Sequence, residues 1–149
     1  MSMTNGMETK VLDLFFNNTP LTNLGDAAGL PASVGEGQFY MSLHIAPGLA
    51  ETDTEQNVNE TTYTGYDRQA IVRNSAGFLV VGDNASNAAL VQAGTMTAGG
   101  PVTLVDFGLG FELTLPGELQ FFAVLDAPLI VNDGINPQFS IGQLVVTAN

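Results

Sequence analysis

The chain has 149 residues, of which 45% are apolar and only 12% are charged, and it contains no cysteine and no tryptophan. Fifteen acidic residues face three Lys and Arg, so the formal net charge at pH 7 is −12. Such a surface repels phosphate backbones, because affinity for nucleic acid comes largely from Lys and Arg. The absence of cysteine excludes disulfides and thiolate metal sites. Length and composition therefore predict a single folded domain, residues 1–149, without a nucleic-acid partner.

The N-terminal part, residues 1–37, predicts a short helix followed by an extended arm. Apolar residues recur with helical spacing between positions 7 and 16. They are Val11, Leu12, Phe15 and Phe16. Pro and Gly then recur too often for a regular element. No apolar run is long enough to cross a bilayer or to form a signal peptide, so we expect no membrane partner and synthesis in the cytoplasm without export.

Residues 38–149 predict about seven or eight short antiparallel strands. Apolar and polar residues alternate with a period of two in most of these segments, and turn-forming residues separate them. The strand segments lie at 39–45, 66–73, 77–82, 102–113, 118–126 and 139–147, and residues 84–94 fit either a strand or a loop. Strands of this number and spacing, with no helical pattern between them, predict an all-β fold, specifically a jelly-roll-like β-sandwich.

Two connections between these strands are informative. LPGE at 115–118 suits a type II turn with Pro116 at i+1 and Gly117 at i+2, which predicts an antiparallel hairpin. Residues 47–65 are polar and acidic and predict a long exposed loop. Because irregular segments longer than about 12 to 15 residues are usually functional or disordered, this loop and the N-terminal arm are the expected contact elements.

The predicted strand at 102–113 carries two glycines on one face. Asp106, Gly108 and Gly110 alternate there with large apolar residues. Since glycine in a strand interior often marks a close approach, we expect another backbone to lie against this face.

His44 is the only histidine of the chain, and it shares a predicted strand face with Ser42. Their Cβ atoms should lie about 7 Å apart, whereas activation of a serine needs about 3 Å between heavy atoms. We therefore expect His44 to be a structural residue that hydrogen-bonds a loop or a carboxylate. No phosphate-binding loop, dinucleotide fingerprint or nucleophile elbow is present. The sequence thus predicts no enzyme and assigns no catalytic, cofactor-binding or metal-binding residue.

Oxygen donors of the kind that calcium prefers alternate within the acidic run at 51–60. They are Asp53, Glu55, Asn57 and Asn59. Val58 stands where an EF-hand loop needs glycine, and Thr64 stands where it needs its last glutamate. A solvated acidic loop is therefore expected, with an interface cation as the alternative.

Arg68 and Arg73 attract attention because basic residues are so scarce, and the alternation places them on opposite faces of the predicted strand at 66–73. One interpretation is that Arg68 anchors a nearby carboxylate or loop carbonyls. The alternative is a clamp across a subunit interface, since a guanidinium group forms bidentate pairs well.

The order of several segments resembles a family of small virion proteins from tailed bacteriophages. In chain order these segments are SLHIAPG, GYDRQAIV, LVDFGLGF, DAPLIVNDG and IGQLVVT. The resemblance covers residues 37–148, with departures at Ile45 and Ala46, where members usually carry polar residues after the histidine. The resemblance implies a non-enzymatic virion structural protein that needs no cofactor.

Members of that family are labelled either as capsid cement or decoration proteins, or as tail and fibre components. A compact, acidic β domain suits a clip over capsomer junctions, where many copies add weak contacts, whereas a fibre would more naturally show repeats or a coiled coil. We therefore predict a capsid cement or decoration protein on the capsid surface of the virion. Its expected partners are the major capsid protein and further copies of itself, as a dimer or trimer. A tail or tail-fibre-associated protein is the alternative, followed by a carbohydrate-binding β-sandwich.

Overall fold

The computed structural model describes residues 3–24 and 29–148, and these residues form one helix and nine strands. The predicted N-terminal helix is confirmed as α1 (Asn5–Phe16). The strands are β1 (Gln38–Ile45), β2 (Gln69–Val72), β3 (Phe78–Val81), β4 (Asn84–Asn87), β5 (Val91–Gln92), β6 (Val102–Gly110), β7 (Leu119–Val131), β8 (Gln138–Phe139) and β9 (Val145–Thr147). No helix among the described residues is long and apolar enough to cross a membrane.

The strands form three sheets, with the orders β2-β1-β6-β7, β3-β4-β9 and β5-β8. The pairs β1 with β6, β6 with β7, β3 with β4 and β4 with β9 are antiparallel. The prediction of an all-β sandwich class with antiparallel strands and one short helix is therefore confirmed. The antiparallel return predicted around LPGE is confirmed, because β6 and β7 pair antiparallel. The tight turn predicted there is not formed: the connection comprises residues 111–118, and Gly117 in it has a positive φ of +68°.

The chain divides into two compact units, each built from separate segments. The first unit comprises Met1–Gln38, Ile71–Leu90 and Phe139–Asn149, and the second comprises Phe39–Ala70 and Val91–Gln138. The predicted arm thus belongs with β3, β4 and β9, although positions 25–28 of the arm lie outside the described residues. A single domain over the whole chain remains a prediction.

The core of the first unit forms around the helix α1. Leu12 and Phe16 lie one helical turn apart and are buried, and the ring of Phe16 packs edge-on against Phe78, with 4.8 Å between ring centroids. Arg73 donates hydrogen bonds from Nε to the carbonyl of Phe15 (2.6 Å) and from Nη2 to the carbonyl of Leu14 (3.0 Å). A cation is favourable at this end of a helix, where the last carbonyls lack partners. The helix is therefore a packed element of this unit.

Asn87 at the end of β4 is the polar centre of the first unit. Its side chain is fully buried, and Nδ2 donates to the carbonyls of Ala89 (2.7 Å) and Ser140 (2.9 Å). Oδ1 accepts from the amide of Leu144 at 2.9 Å. One amide side chain thus holds the segment between β8 and β9, which explains why the single strand predicted at 139–147 is interrupted.

The core of the second unit lies along β1 and β6. Phe39 is fully buried and contacts the rings of Phe111 and Phe121, at centroid distances of 4.8 and 5.9 Å. The other large side chains of this core that are fully buried and apolar are Met41, Leu43, Met96, Leu104, Leu109 and Val131. The register of β1 and β6 pairs Ser42 with Gly108 and His44 with Asp106, so a polar strip runs along the same strands.

Three sequence predictions about strands and loops were wrong in detail. The strand predicted at 66–73 is confined to Gln69–Val72, because the chain before it makes a turn in which Tyr66 N donates to the carbonyl of Tyr63. The strand predicted at 102–113 ends at Gly110. The loop at 47–65 is not fully exposed: Gln56, Thr61 and Tyr63 are buried, which composition alone could not reveal.

Candidate functional site

Ser42 and His44 are in direct contact, contrary to the sequence prediction. Ser42 Oγ lies 2.8 Å from His44 Nε2, although the two residues stand two apart on β1. The prediction failed because it used the separation of Cβ atoms, whereas the imidazole ring extends back along the strand and covers most of that distance. The same distance would suit a serine nucleophile and its base. The burial of the two residues and their other hydrogen-bond partners therefore have to be considered.

The hydrogen-bond partners determine the protonation of this pair. His44 Nδ1 lies 2.8 Å from the carbonyl oxygen of Val58, which can only accept, so Nδ1 carries the proton. In the neutral ring Nε2 must then accept, and the Ser42 hydroxyl donates to it. Gln56 Nε2 in turn donates to Ser42 Oγ (3.0 Å) and to the carbonyl of Tyr40 (2.5 Å). We call Ser42, His44 and Gln56 the buried polar chain.

Glycines on β6 create the space that the buried polar chain occupies. A Cβ atom added at Gly108 would lie 2.9 Å from Ser42 Oγ and 3.1 Å from His44 Nε2. At Gly110 an added Cβ would collide with the Gln56 side chain and with the carbonyl oxygen of Glu118. The predicted close approach at these glycines is therefore confirmed, and at Gly108 the approaching atoms belong to side chains.

The buried polar chain supports the structure and offers no access to a substrate. Ser42 and His44 are both 0% exposed, and the second ring nitrogen of His44 binds a backbone carbonyl instead of a carboxylate. The buried polar chain joins β1 to the loop that carries Gln56 and Val58. This agrees with the prediction that His44 hydrogen-bonds a loop. The buried Oε1 of Gln56 has no hydrogen-bond partner among the described residues.

The stability of the protein is expected to fall as the pH drops below 6.5. Burial lowers the pKa of His44 from its ordinary value of 6.5, against the opposing influence of the Val58 carbonyl and of the charges on Glu60 and Asp106. Below 6.5 the unfolded chain therefore binds a proton that the folded protein excludes. The stabilisation is present above the unfolded pKa and is lost as the pH falls toward the folded pKa, by at most about 1.4 kcal/mol per pH unit.

Urea unfolding at several values from about pH 5 to about pH 7 measures this dependence. The control is His44→Gln, whose side chain does not titrate and retains hydrogen-bonding groups. The variant should be less stable but should show a shallower dependence on pH in this window. Equal slopes for the two proteins would show that His44 does not titrate between the folded and unfolded states as described.

A second polar cluster, the buried ion pair, forms around Arg68 and Glu60. Arg68 donates from Nε to Glu60 Oε1 (2.9 Å) and from Nη2 to Glu60 Oε2 (2.7 Å), and only 2% and 5% of the two side chains are exposed. Tyr66 donates its hydroxyl to Glu60 Oε1 at 2.8 Å and accepts from the amide of Leu43 at 3.0 Å. Burial, together with the nearby charge of Glu60, raises the pKa of the Tyr66 hydroxyl, so it remains a donor.

Arg68 also holds the connection between β6 and β7. Its Nη1 donates to the carbonyls of Glu112 (3.0 Å) and Thr114 (3.3 Å), and Nη2 donates to that of Pro116 (2.9 Å). The interpretation of Arg68 as an anchor for a carboxylate and loop carbonyls is therefore confirmed, with all these partners inside its own chain. Arg73 similarly binds carbonyls of its own chain.

An open groove of about 420 Å³ lies beside the buried ion pair. Its lining combines polar, acidic and apolar side chains, and we call it the Leu113 groove. The lining residues are Asn57, Glu60, Thr61, Thr62, Tyr63, Tyr66, Asp67, Arg68, Leu113 and Leu115. Thr61 is only 2% exposed, and its buried hydroxyl has no hydrogen-bond partner in the part of the chain that is described. The volume of the groove is within the range of small-molecule binding sites.

The acidic run at 51–60 does not assemble a metal site in the described structure. No group of three or more His, Asp or Glu side chains that could hold a metal ion occurs within residues 3–24 and 29–148. Asp53 instead accepts a hydrogen bond from the amide of Ala50 at 2.7 Å, and Glu60 pairs with Arg68. The sequence analysis did not identify Gln56, Glu60 and Thr61, because it placed them in a solvated loop. Only the scarcity of basic residues, which drew attention to Arg68, indicated this region.

The chain is similar to one family of known proteins over nearly its whole length. No curated protein matches the sequence. A family model described as "Podophage GP4 fiber I protein gp80" matches residues 2–147, which include both the buried polar chain and the Leu113 groove. The predicted relationship to virion structural proteins of phages is confirmed in this general form. The chain belongs to the podophage GP4 fiber I protein gp80 family.

Proposed function

We propose that this protein is a structural component of a podophage fibre. The observation that supports this proposal is the family match over residues 2–147, whose description names a fiber protein. It favours the tail-fibre alternative over the predicted capsid cement or decoration protein, which was chosen because the sequence has neither repeats nor a coiled coil. The family match covers nearly the whole chain, so a member of this fibre-protein family can lack both repeats and a coiled coil.

The architecture of the site supports a binding or assembly role. The one Ser and His pair is buried in the core, and the acidic loop is occupied by contacts within its own chain. Two of the three tyrosines that a carbohydrate-binding site could use are engaged within the chain, because the Tyr63 hydroxyl donates to backbone carbonyls and the Tyr66 hydroxyl donates to Glu60. The predicted dimer or trimer remains a prediction.

Immunogold labelling of intact virions tests the location. Antibody raised against the purified protein should label the fibres, and an antibody against the major capsid protein, applied to the same preparation, should label the shell. Labelling by the first antibody over the whole shell would instead support the cement prediction and the major capsid protein as the partner. Virions that carry no label from the first antibody, although they bind the second, would contradict a virion role.

A further inference from the structure

The connection between β6 and β7 presents two leucine side chains to the solvent. Arg68 binds the carbonyls of Glu112, Thr114 and Pro116, every second residue of this segment. The intervening Leu113 and Leu115 are 55% and 66% exposed and form one side of the Leu113 groove. Because the buried ion pair holds the backbone of this segment, the leucines are displayed on a fixed support. Adjacent exposed apolar side chains on the rim of a groove are a feature of interaction sites.

The surroundings of the groove are acidic. The second unit contains ten acidic residues, five in Phe39–Ala70 and five in Val91–Gln138, but only one basic residue, Arg68. Arg68 is buried and paired with Glu60, so this unit exposes no cationic side chain. Asp67 lines the groove, and Glu112 lies next to Leu113 on the exposed connection. A partner with basic side chains around an apolar anchor complements this surface.

A second copy of the same chain does not provide that complement. Each copy carries a formal charge of −12 and only three basic residues. Two of these are committed within the chain, Arg68 to Glu60 and Arg73 to the end of α1. Like charges brought together at a contact oppose binding, so the occupant of the groove should be a different protein.

We propose that the Leu113 groove binds a short basic segment of another virion protein. An apolar side chain of that segment lies against Leu113 and Leu115, and its Lys or Arg side chains lie near Asp67 and Glu112. The inference rests on the proposed function in one respect, since it takes the partner from the assembled virion. Anchors of this kind are typical of interfaces in which a rigid apolar centre is surrounded by a charged rim.

Photocrosslinking in assembled virions tests the inference. A benzophenone amino acid replaces Leu113 in one variant and Leu79 in a control; Leu79 is also 55% exposed but lies on β3 of the first unit. Phage lacking the gene is complemented with each variant, and crosslinked peptides are identified by mass spectrometry. The variant at position 113 should crosslink to a segment of another virion protein with net positive charge, and the control should not reach that segment.

Several outcomes would overturn the inference. They are a crosslink from position 113 only to a second copy, a crosslink only to a neutral or acidic segment, and no crosslink at all from virions that contain the variant. Detection of the unsubstituted protein in virions is a separate measurement, and its failure would contradict the proposed function itself.

Charge reversal supplies a second measurement with little risk to folding, because Asp67 and Glu112 are exposed. The double substitution Asp67→Lys and Glu112→Lys, added to the crosslinker at position 113, should lower the crosslink yield about tenfold or more, which corresponds to the loss of about 1.4 kcal/mol of binding. The yield from the control at position 79 should not change. An unchanged yield at position 113 would show that charge does not select the partner.

Discussion

Replacing Arg68 with alanine is expected to lower the free energy of unfolding by about 3 to 5 kcal/mol. The substitution leaves the carboxylate of Glu60 buried without its partner and removes the donors to the carbonyls of Glu112, Thr114 and Pro116. An uncompensated buried charge is costly because the protein interior solvates it poorly. Urea unfolding followed by far-ultraviolet circular dichroism measures the loss, since the chain has no tryptophan to report by fluorescence.

Two further variants separate charge from geometry at this position. Arg68→Lys keeps the charge but cannot reproduce the planar fork that binds both carboxylate oxygens, so it should recover only part of the loss. Arg73→Ala is the matched control, because Arg73 also donates to two backbone carbonyls, those of Phe15 and Leu14, but its side chain is only half-buried. Its cost should be about 1 kcal/mol. Equal losses for Arg68→Ala and Arg73→Ala would contradict the importance of the buried ion pair.

Replacing Asn87 with alanine should lower the free energy of unfolding by about 3 kcal/mol or more. The substitution removes the partners of the Ala89 and Ser140 carbonyls and of the Leu144 amide, and each buried polar group left unpaired costs about 1 to 3 kcal/mol. The same urea unfolding measurement applies. The loss of stability should exceed that caused by a cavity alone, because the alanine side chain cannot hydrogen-bond the Ala89 and Ser140 carbonyls or the Leu144 amide.

Asn74→Ala provides the control for Asn87. The Asn74 side chain also makes two hydrogen bonds, to Glu36 and from the amide of Ala76, but both are exposed to solvent. Water can replace them, so the control should lose no more than about 1 kcal/mol. Similar losses at positions 74 and 87 would mean that burial does not set the cost, and that the segment between β8 and β9 is held by other contacts.

Local patterns predicted the elements of this protein well and the polar contacts poorly. The helical spacing of Leu12 and Phe16 and the period of two in FYMSLHI each reflect a face that must be buried, so they identify α1 and β1. The loop at 47–65 gives no such signal, because Gln56 and Glu60 look like any solvated polar residue until their partners are known. Buried polar groups need specific partners, and these lie 14 and 16 residues away for Gln56 and 8 residues away, across a turn, for Glu60.

The pair Ser42 and His44 illustrates the same limit at close range. The sequence places both residues on one strand face, which is correct, but their contact depends on a side-chain conformation selected by Val58, Gln56 and the space above Gly108. Arg68 is the opposite case. The scarcity of basic residues in the sequence suggested that it anchors a carboxylate or carbonyls, and the structure identifies these partners as Glu60 and the carbonyls of Glu112, Thr114 and Pro116.

The sequence by itself determined the all-β class, the single short helix, the antiparallel pairing of β6 and β7 and the relationship to phage virion proteins, because periodicity, turn-forming residues and the order of segments are local or linear properties. The tertiary structure alone decided that Glu60 meets Arg68, that His44 is a buried part of a polar chain, and that Leu113 and Leu115 border an acidic groove. These features arise where β1, β6 and the loop between β1 and β2 come together. Desolvation there strongly favours hydrogen bonds between the buried polar groups, and no local pattern in the chain encodes which residues will meet.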